Sequence, residues 1–87
     1  MKVYIVEMYG LRGSHRYGAY SNRYGVYSNI ELARNKLQEI FRAEKLSRFG
    51  TFYKVELVNE NCFVVKHRNK TEEYYEITEV EVEDGNK

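Results

Sequence analysis

The stretch at residues 50–66, GTFYKVELVNENCFVVK, decides the fold class of this chain. After its glycine, the large apolar residues recur at alternate positions, namely Tyr53, Val55 and Leu57. A period of two is typical of a β-strand, because successive side chains of a strand point to opposite faces. Turn residues at 59–61 then lead into a second apolar run at residues 62–66. We therefore predict a β-hairpin.

The rest of the C-terminal half extends this hairpin into a β-meander. A turn signal at residues 68–71 precedes two further apolar segments, residues 74–77 and 80–82. The apolar residues are odd-numbered in the first segment and even-numbered in the second. This change of parity predicts a bulge or a strand break near residues 78–79.

Two strands and a helix are predicted upstream. Residues 3–8, VYIVEM, are β-branched and aromatic on both faces, which favours a central strand, and residues 24–27 form a second short strand. Ser28 and Glu31 fit a capping box that starts a helix over about residues 29–48. Gly50 supplies the left-handed stop. The helix has an apolar stripe of Ile30, Ala33, Leu37, Ile40, Phe41 and Ala43, and an opposite basic face of Arg34, Gln38, Arg42 and Lys45.

These elements define a single domain over residues 1–87. Its fold class is α+β: an antiparallel sheet of about five strands with one helix packed across a face, in the order ββαβββ. A hydrophobic content of 43% is too high for a disordered chain. No run approaches the roughly 18 apolar residues of a membrane helix, and Glu7 interrupts the first strand too early for a signal peptide. We expect a cytoplasmic protein without a membrane partner.

Catalytic and metal-binding motifs are missing from the sequence. Cys62 and His67 are five residues apart on one predicted strand, so their side chains leave opposite faces of the sheet. We interpret Cys62 as a small buried or edge apolar group. With His15 as the second and last histidine, the chain offers no metal-ligand spacing. We expect no enzyme activity and no cofactor.

A tandem repeat is the most unusual feature. The heptad RYGAYSN at residues 16–22 is followed at once by RYGVYSN at residues 23–29, and no acidic residue occurs between Glu7 and Glu31. Arginine neutralises phosphate, and tyrosine offers a flat face to bases or to a protein partner. The composition of residues 9–29 suits a protein interface or single-stranded nucleic acid, and it also suits plain packing of the tyrosines. The candidate partner-binding residues are Arg12, His15, Arg16, Tyr17, Tyr20, Arg23 and Tyr24.

The charges are unevenly distributed. Residues 1–48 hold nine Lys or Arg against four Glu, whereas residues 49–87 hold five against nine acidic residues. Glu79, Glu81 and Glu83 alternate and project to one side of a strand, with Val80 and Val82 directed inward. A solvated face explains this row. The alternative is an acidic docking face that imitates the phosphate spacing of nucleic acid.

The layout resembles a class of small proteins. The opening VYIV at residues 3–6, the aromatic strand GVYS at residues 25–28, the capped helix and the C-terminal meander look like small proteins encoded by bacteriophages and other mobile elements. Many of these inhibit host defence, including anti-CRISPR proteins. The resemblance implies a non-enzymatic inhibitor in the bacterial cytoplasm whose partner is a host defence protein or its nucleic-acid complex. The alternative is an accessory protein that binds single-stranded RNA or DNA through residues 9–29.

Overall fold

A computed structural model describes residues 1–10 and 21–83 as a five-stranded antiparallel sheet with one helix packed across it. This arrangement confirms the predicted α+β class and the order ββαβββ. The elements are β1 (Lys2–Gly10), β2 (Ser21–Tyr27), α1 (Ile30–Ser47), β3 (Tyr53–Asn59), β4 (Cys62–His67) and β5 (Lys70–Glu81). The spatial order of the strands is β2-β1-β5-β4-β3. Strand β1 therefore has a neighbour on both sides, as its apolar sequence predicts, and β2 and β3 lie at the two edges.

Strand β5 corrects one prediction. It is continuous over twelve residues, so the expected bulge or break near residues 78–79 is wrong. Its pairing with β1 shows no register shift from Lys2 opposite Glu81 to Gly10 opposite Glu73. Apolar residues occur first at odd and then at even positions because both faces of β5 carry them. Tyr75 belongs to the core under the helix, whereas Val80 lies on the other face.

The start of α1 corrects a second prediction. Asn29, and not Ser28, caps the helix, because its side-chain oxygen accepts hydrogen bonds from the backbone N–H groups of Glu31 (2.7 Å) and Leu32 (3.4 Å). The extended backbone of Asn29, at φ −141° and ψ 133°, aims its side chain at these amides. At the other end Arg48 is the C-cap, and Gly50 follows with the left-handed φ of +82° that the sequence predicts.

The core lies between α1 and one face of the sheet. The buried side chains of this core are Val6 and Met8 of β1, Ala33, Leu37 and Ile40 of α1, Phe63 and Val65 of β4, and Tyr75 of β5. The predicted helix stripe is therefore confirmed at its centre. Ala43 is exposed, so its predicted place in the stripe is wrong, since it lies about 120° around the helix from Leu37.

The two hairpins of the meander have the predicted turns. Arg68 and Asn69 form the β4–β5 turn with φ of +53° and +65°, the left-handed pair of a two-residue hairpin. In the β3–β4 turn the Asn59 side chain accepts a hydrogen bond from the Asn61 backbone N–H at 2.7 Å.

Candidate binding surfaces

The Arg/Tyr repeat contributes the edge strand β2. Five of the candidate partner-binding residues lie outside the described residues: Arg12, His15, Arg16, Tyr17 and Tyr20. Of the other two, Arg23 is exposed on β2 and lies opposite Glu7 of β1. Tyr24 is half-buried against the core, with its ring centroid 6.2 Å from that of Tyr75. Arg23 is thus the described member of this set that solvent or a partner can reach most directly.

A second tyrosine of the same heptad also serves packing. Tyr27 is half-buried against the core, and its ring folds back over Gly25 on the same strand. A Cβ atom at position 25 would lie only 2.7 Å from the Tyr27 hydroxyl oxygen and 2.8 Å from a ring carbon. The heptad thus joins one exposed arginine to two tyrosines that anchor β2 on the core.

The acidic candidates are exposed, and two of the three have cationic neighbours. Glu79 accepts from Lys2 Nζ at 3.2 Å, and Glu81 accepts from the amino group of Met1 at 2.9 Å. The hydrogen bond that Lys2 donates to Glu79 raises the pKa of Lys2, and the hydrogen bond from the amino group of Met1 lowers the pKa of Glu81. Such exposed pairs contribute little to stability, but they reduce the bare negative charge of the row. Glu83 lies just beyond the end of β5 and is exposed.

Cys62 and His67 lie at the two ends of β4 and do not come together. The Cys62 thiol is half-buried beside Glu76 of β5, and burial followed by the charge of Glu76 raises its pKa. The His67 ring packs on Tyr53 with ring centroids 4.8 Å apart. Within residues 1–10 and 21–83, no three His, Cys, Asp or Glu side chains form a group that can hold a metal ion.

A further surface, which the sequence did not predict, runs along β3 and the turn before it. Among the strands that the structure describes, none pairs with the outer side of β3. Five large apolar side chains in this region are between 56% and 86% exposed: Leu46, Phe49, Phe52, Leu57 and Val58. We call these five residues the β3 apolar band. Its signal in the sequence is the cluster of apolar residues on both faces of residues 52–58, a pattern that predicts a strand without saying whether it is covered.

Two grooves lie beside the band, between the helix and β3. The larger, of about 310 Å³, has Lys45, Arg48 and Phe49 on the helix side and Tyr53 and Val55 on the strand side. The smaller, of about 110 Å³, is lined by Leu37, Phe41, Leu57 and Phe63, together with the polar residues Gln38, Arg42 and Glu60. Both grooves are lined by a mixture of apolar and charged residues, as in many protein-binding grooves.

Arg48 holds the larger groove in shape. Its guanidinium lies 4.6 Å from the centre of the Tyr53 ring and pairs with Glu44 (3.0 Å) and Glu73 (3.1 Å). These contacts join the end of α1 to β3 and β5. Because all three charged groups are largely shielded from water, the network restrains the helix end more than an exposed ion pair does.

Comparison of the chain with protein-family models, curated proteins and solved structures finds no match. No helix among the described residues is long and apolar enough to cross a membrane.

Proposed function

We propose that this protein is a non-enzymatic binding protein that works by contact with other protein chains. The β3 apolar band carries this proposal. Apolar surface in contact with water is unfavourable by roughly 25 cal/mol per Å². All five side chains of the band are more than half exposed, and large exposed apolar side chains grouped in one region of a folded protein are typical of protein-binding sites. The band also lies beside the outer edge of β3, which no other strand of the described residues pairs with and which offers backbone N–H and C=O groups to a partner.

The specific target we propose is a host defence complex, such as a CRISPR effector in the bacterial cytoplasm. The resemblance of the layout to small phage and mobile-element proteins supports this target, and so do the exposed charged groups on β2 and near the end of β5. Arg23 is exposed on β2, and Glu79, Glu81 and Glu83 are exposed near the end of β5. A protein with exposed groups of both signs of charge can contact a nucleic-acid-binding protein together with its bound strand.

The direct test is protection from interference in bacteria. Cells with an active CRISPR system receive a plasmid that the system targets, with or without expression of this protein. We expect the protein to restore transformation to the level of an untargeted plasmid. Purified effector should then lose cleavage activity when the purified protein is added. Undiminished interference by the panel of effectors tested would contradict the inhibitor proposal.

Variants test whether protection depends on the exposed arginine of the β2 edge. Arg23→Ala should reduce protection, whereas Lys70→Ala, which removes an exposed cation elsewhere on the sheet, should leave protection unchanged. Cys62→Ala should also leave protection unchanged, since no thiol chemistry is proposed. Tight, salt-sensitive binding of the isolated chain to a labelled single strand, with no protein partner, would instead support the nucleic-acid alternative.

A further inference from the structure

The exposed edge of β3 is complementary to itself. Residues 52–58 read FYKVELV, with Val55 at the centre. At equal distances on either side of Val55, the two residues are either both apolar or oppositely charged. If two copies of β3 run antiparallel with Val55 opposite Val55, Lys54 of each copy faces Glu56 of the other. In the same register Tyr53 faces Leu57 and Phe52 faces Val58, so each apolar residue meets an apolar residue.

We propose that a second copy of this chain occupies the β3 edge and joins two five-stranded sheets into one of ten strands. This inference rests on the proposed function, because it assigns a partner to the same β3 apolar band. A continuous sheet across a twofold axis satisfies the backbone groups of both edge strands with the same residues from each copy.

The charges select this register over its neighbours. A shift of two residues in one direction places Lys54 opposite Lys54, and a shift in the other direction places Glu56 opposite Glu56. Like charges directly opposite each other destabilise an antiparallel pair. A shift by one residue places the helix-side residues of one copy opposite the far-side residues of the other. The helix-side apolar residues then lie opposite Lys54 and Glu56, and the apolar side chains are separated. Of these registers, the one centred on Val55 pairs both charges and all the apolar residues.

The contacts within one copy leave Lys54 available for this pair. Lys54 lies opposite Lys66 on β4, and among the described residues it forms no ion pair. Glu56, on the same face, is 3.2 Å from Lys66 Nζ. In the joined sheet the carboxylate of Glu56 lies between Lys66 of its own copy and Lys54 of the other, so that each Lys54 gains a carboxylate partner.

The contacts between Tyr53 and Leu57 fall on the helix side of the sheet, because these residues share a face with Val55, which packs against the core. Leu57 is more than half exposed in one copy, and the proposed register brings it against Tyr53 of the other, at the wall of the 310 Å³ groove. The register of β3 against β4 shifts between Leu57 and Asn59, which limits regular pairing across the edge to about residues 53–57. Beyond those residues Val58 lies near Phe52 of the second copy, so three of the five residues of the band gain an apolar neighbour.

Charge reversal on the full-length chain tests the proposal. Sedimentation equilibrium of the wild type should give twice the 10.4 kDa of one chain at concentrations that favour association. K54E opposes Glu to Glu, and E56K opposes Lys to Lys, so each variant should weaken the dimer at least about tenfold. The double variant K54E/E56K restores opposite charges in the same register and should recover the dimer. Circular dichroism verifies that each variant is folded.

Mixing the two single variants gives the sharpest readout. In an equimolar mixture, the acidic edge of K54E meets the basic edge of E56K, so a heterodimer should form although each variant alone is a monomer. A wild-type chain that remains at 10.4 kDa at every concentration overturns the proposal, and so does a dimer that neither variant weakens. Protection from interference by a strictly monomeric wild type would refute the dimer while leaving the proposed function standing. A dimer that gives no protection from interference would support the proposed dimer and contradict the proposed inhibitor function.

Discussion

The ring of Phe63 stacks on the ring of Tyr75 across the β4–β5 pair, with centroids 4.4 Å apart and planes inclined by 8°. Both side chains are buried. Phe41 of the helix packs edge-on against Phe63 at 5.2 Å, so three rings connect α1 to the middle of the sheet. In a chain of 87 residues this cluster forms a large part of the core, and the stability of the fold depends on it.

The first prediction compares two leucines of the helix that differ in burial. Leu37 is 2% exposed in the core cluster and Leu32 is 51% exposed on the same helix. Leu37→Ala removes buried methyl groups and leaves a cavity, so it should lower the free energy of unfolding by about 2 to 5 kcal/mol. Leu32→Ala is the matched control and should change it by about 0.5 kcal/mol. Urea denaturation measures both values, and similar losses for the two variants would contradict the packing.

The second prediction concerns alkaline pH. Burial, followed by the charge of Glu73, raises the pKa of the Tyr75 phenol far above its ordinary value of about 10. Above pH 10 the unfolded chain therefore releases a proton that the folded chain retains. The protonated Tyr75 phenol contributes its full stabilisation of the fold below pH 10. Above pH 10 the free energy of unfolding should fall by up to about 1.4 kcal/mol per pH unit.

Tyr75→Phe isolates this contribution. The variant loses the hydrogen bond from the hydroxyl to Glu73 (3.0 Å), so it is less stable at pH 8. Since phenylalanine does not ionise, its stability should fall less steeply than that of the wild type between pH 10 and 11.5. Leu32→Ala, which leaves Tyr75 in place and removes no titratable group, should keep the wild-type slope. Parallel curves for wild type and Tyr75→Phe would show that the phenol is not protected.

The third prediction distinguishes two adjacent residues at the start of the helix. Asn29→Ala removes the side chain that accepts from two backbone N–H groups and should lower the free energy of unfolding by about 1 kcal/mol. Ser28→Ala should have a much smaller effect, because Ser28 is not the cap. Thermal unfolding followed by circular dichroism compares the two. A larger loss for Ser28→Ala would restore the capping box that the sequence alone suggests.

The fourth prediction concerns the close contact in β2. Gly25→Ala places a methyl group against the Tyr27 ring, which must move from its position on the core, and should destabilise the fold by about 1 to 3 kcal/mol. If the contact is the cause, Gly25→Ala should have less effect in a Tyr27→Ala background, where the ring is gone. Chemical denaturation of the four proteins completes the double-mutant cycle. Strictly additive losses would exclude the contact as the cause.

Several parts of the fold follow from local patterns. Strands of period two, the helix stripe around Leu37 and the β4–β5 turn at residues 68–69 are correct because each depends on residues a few positions apart. The error at Ser28 is a shift of one residue at an element end, where neighbouring residues compete for one role, and the error at Ala43 arises because it lies about 120° around the helix from Leu37. The continuity of β5 was missed because the expectation assumed one buried face, whereas this sheet places apolar residues on both.

The candidate sites were harder to predict from sequence. Tyr24 is a predicted binding residue because arginine, glycine and tyrosine surround it in the sequence, yet its ring packs against the core near Tyr75. The β3 apolar band was missed because an apolar residue on a strand usually predicts burial. Whether Leu57 is buried depends on what lies beside β3, and that is a non-local property.

By itself the sequence determined the elements and their order along the chain, since hydrophobic period, caps and turn residues act over short distances. It also determined that residues 52–58, FYKVELV, carry either two apolar residues or two opposite charges at equal distances from Val55. Only the tertiary structure decided that β5 inserts between β1 and β4, which leaves β3 at the edge with its apolar side chains exposed. The physical reason is that exposure depends on what covers each strand, and the single helix buries the middle of one face and is too narrow to cover all five strands.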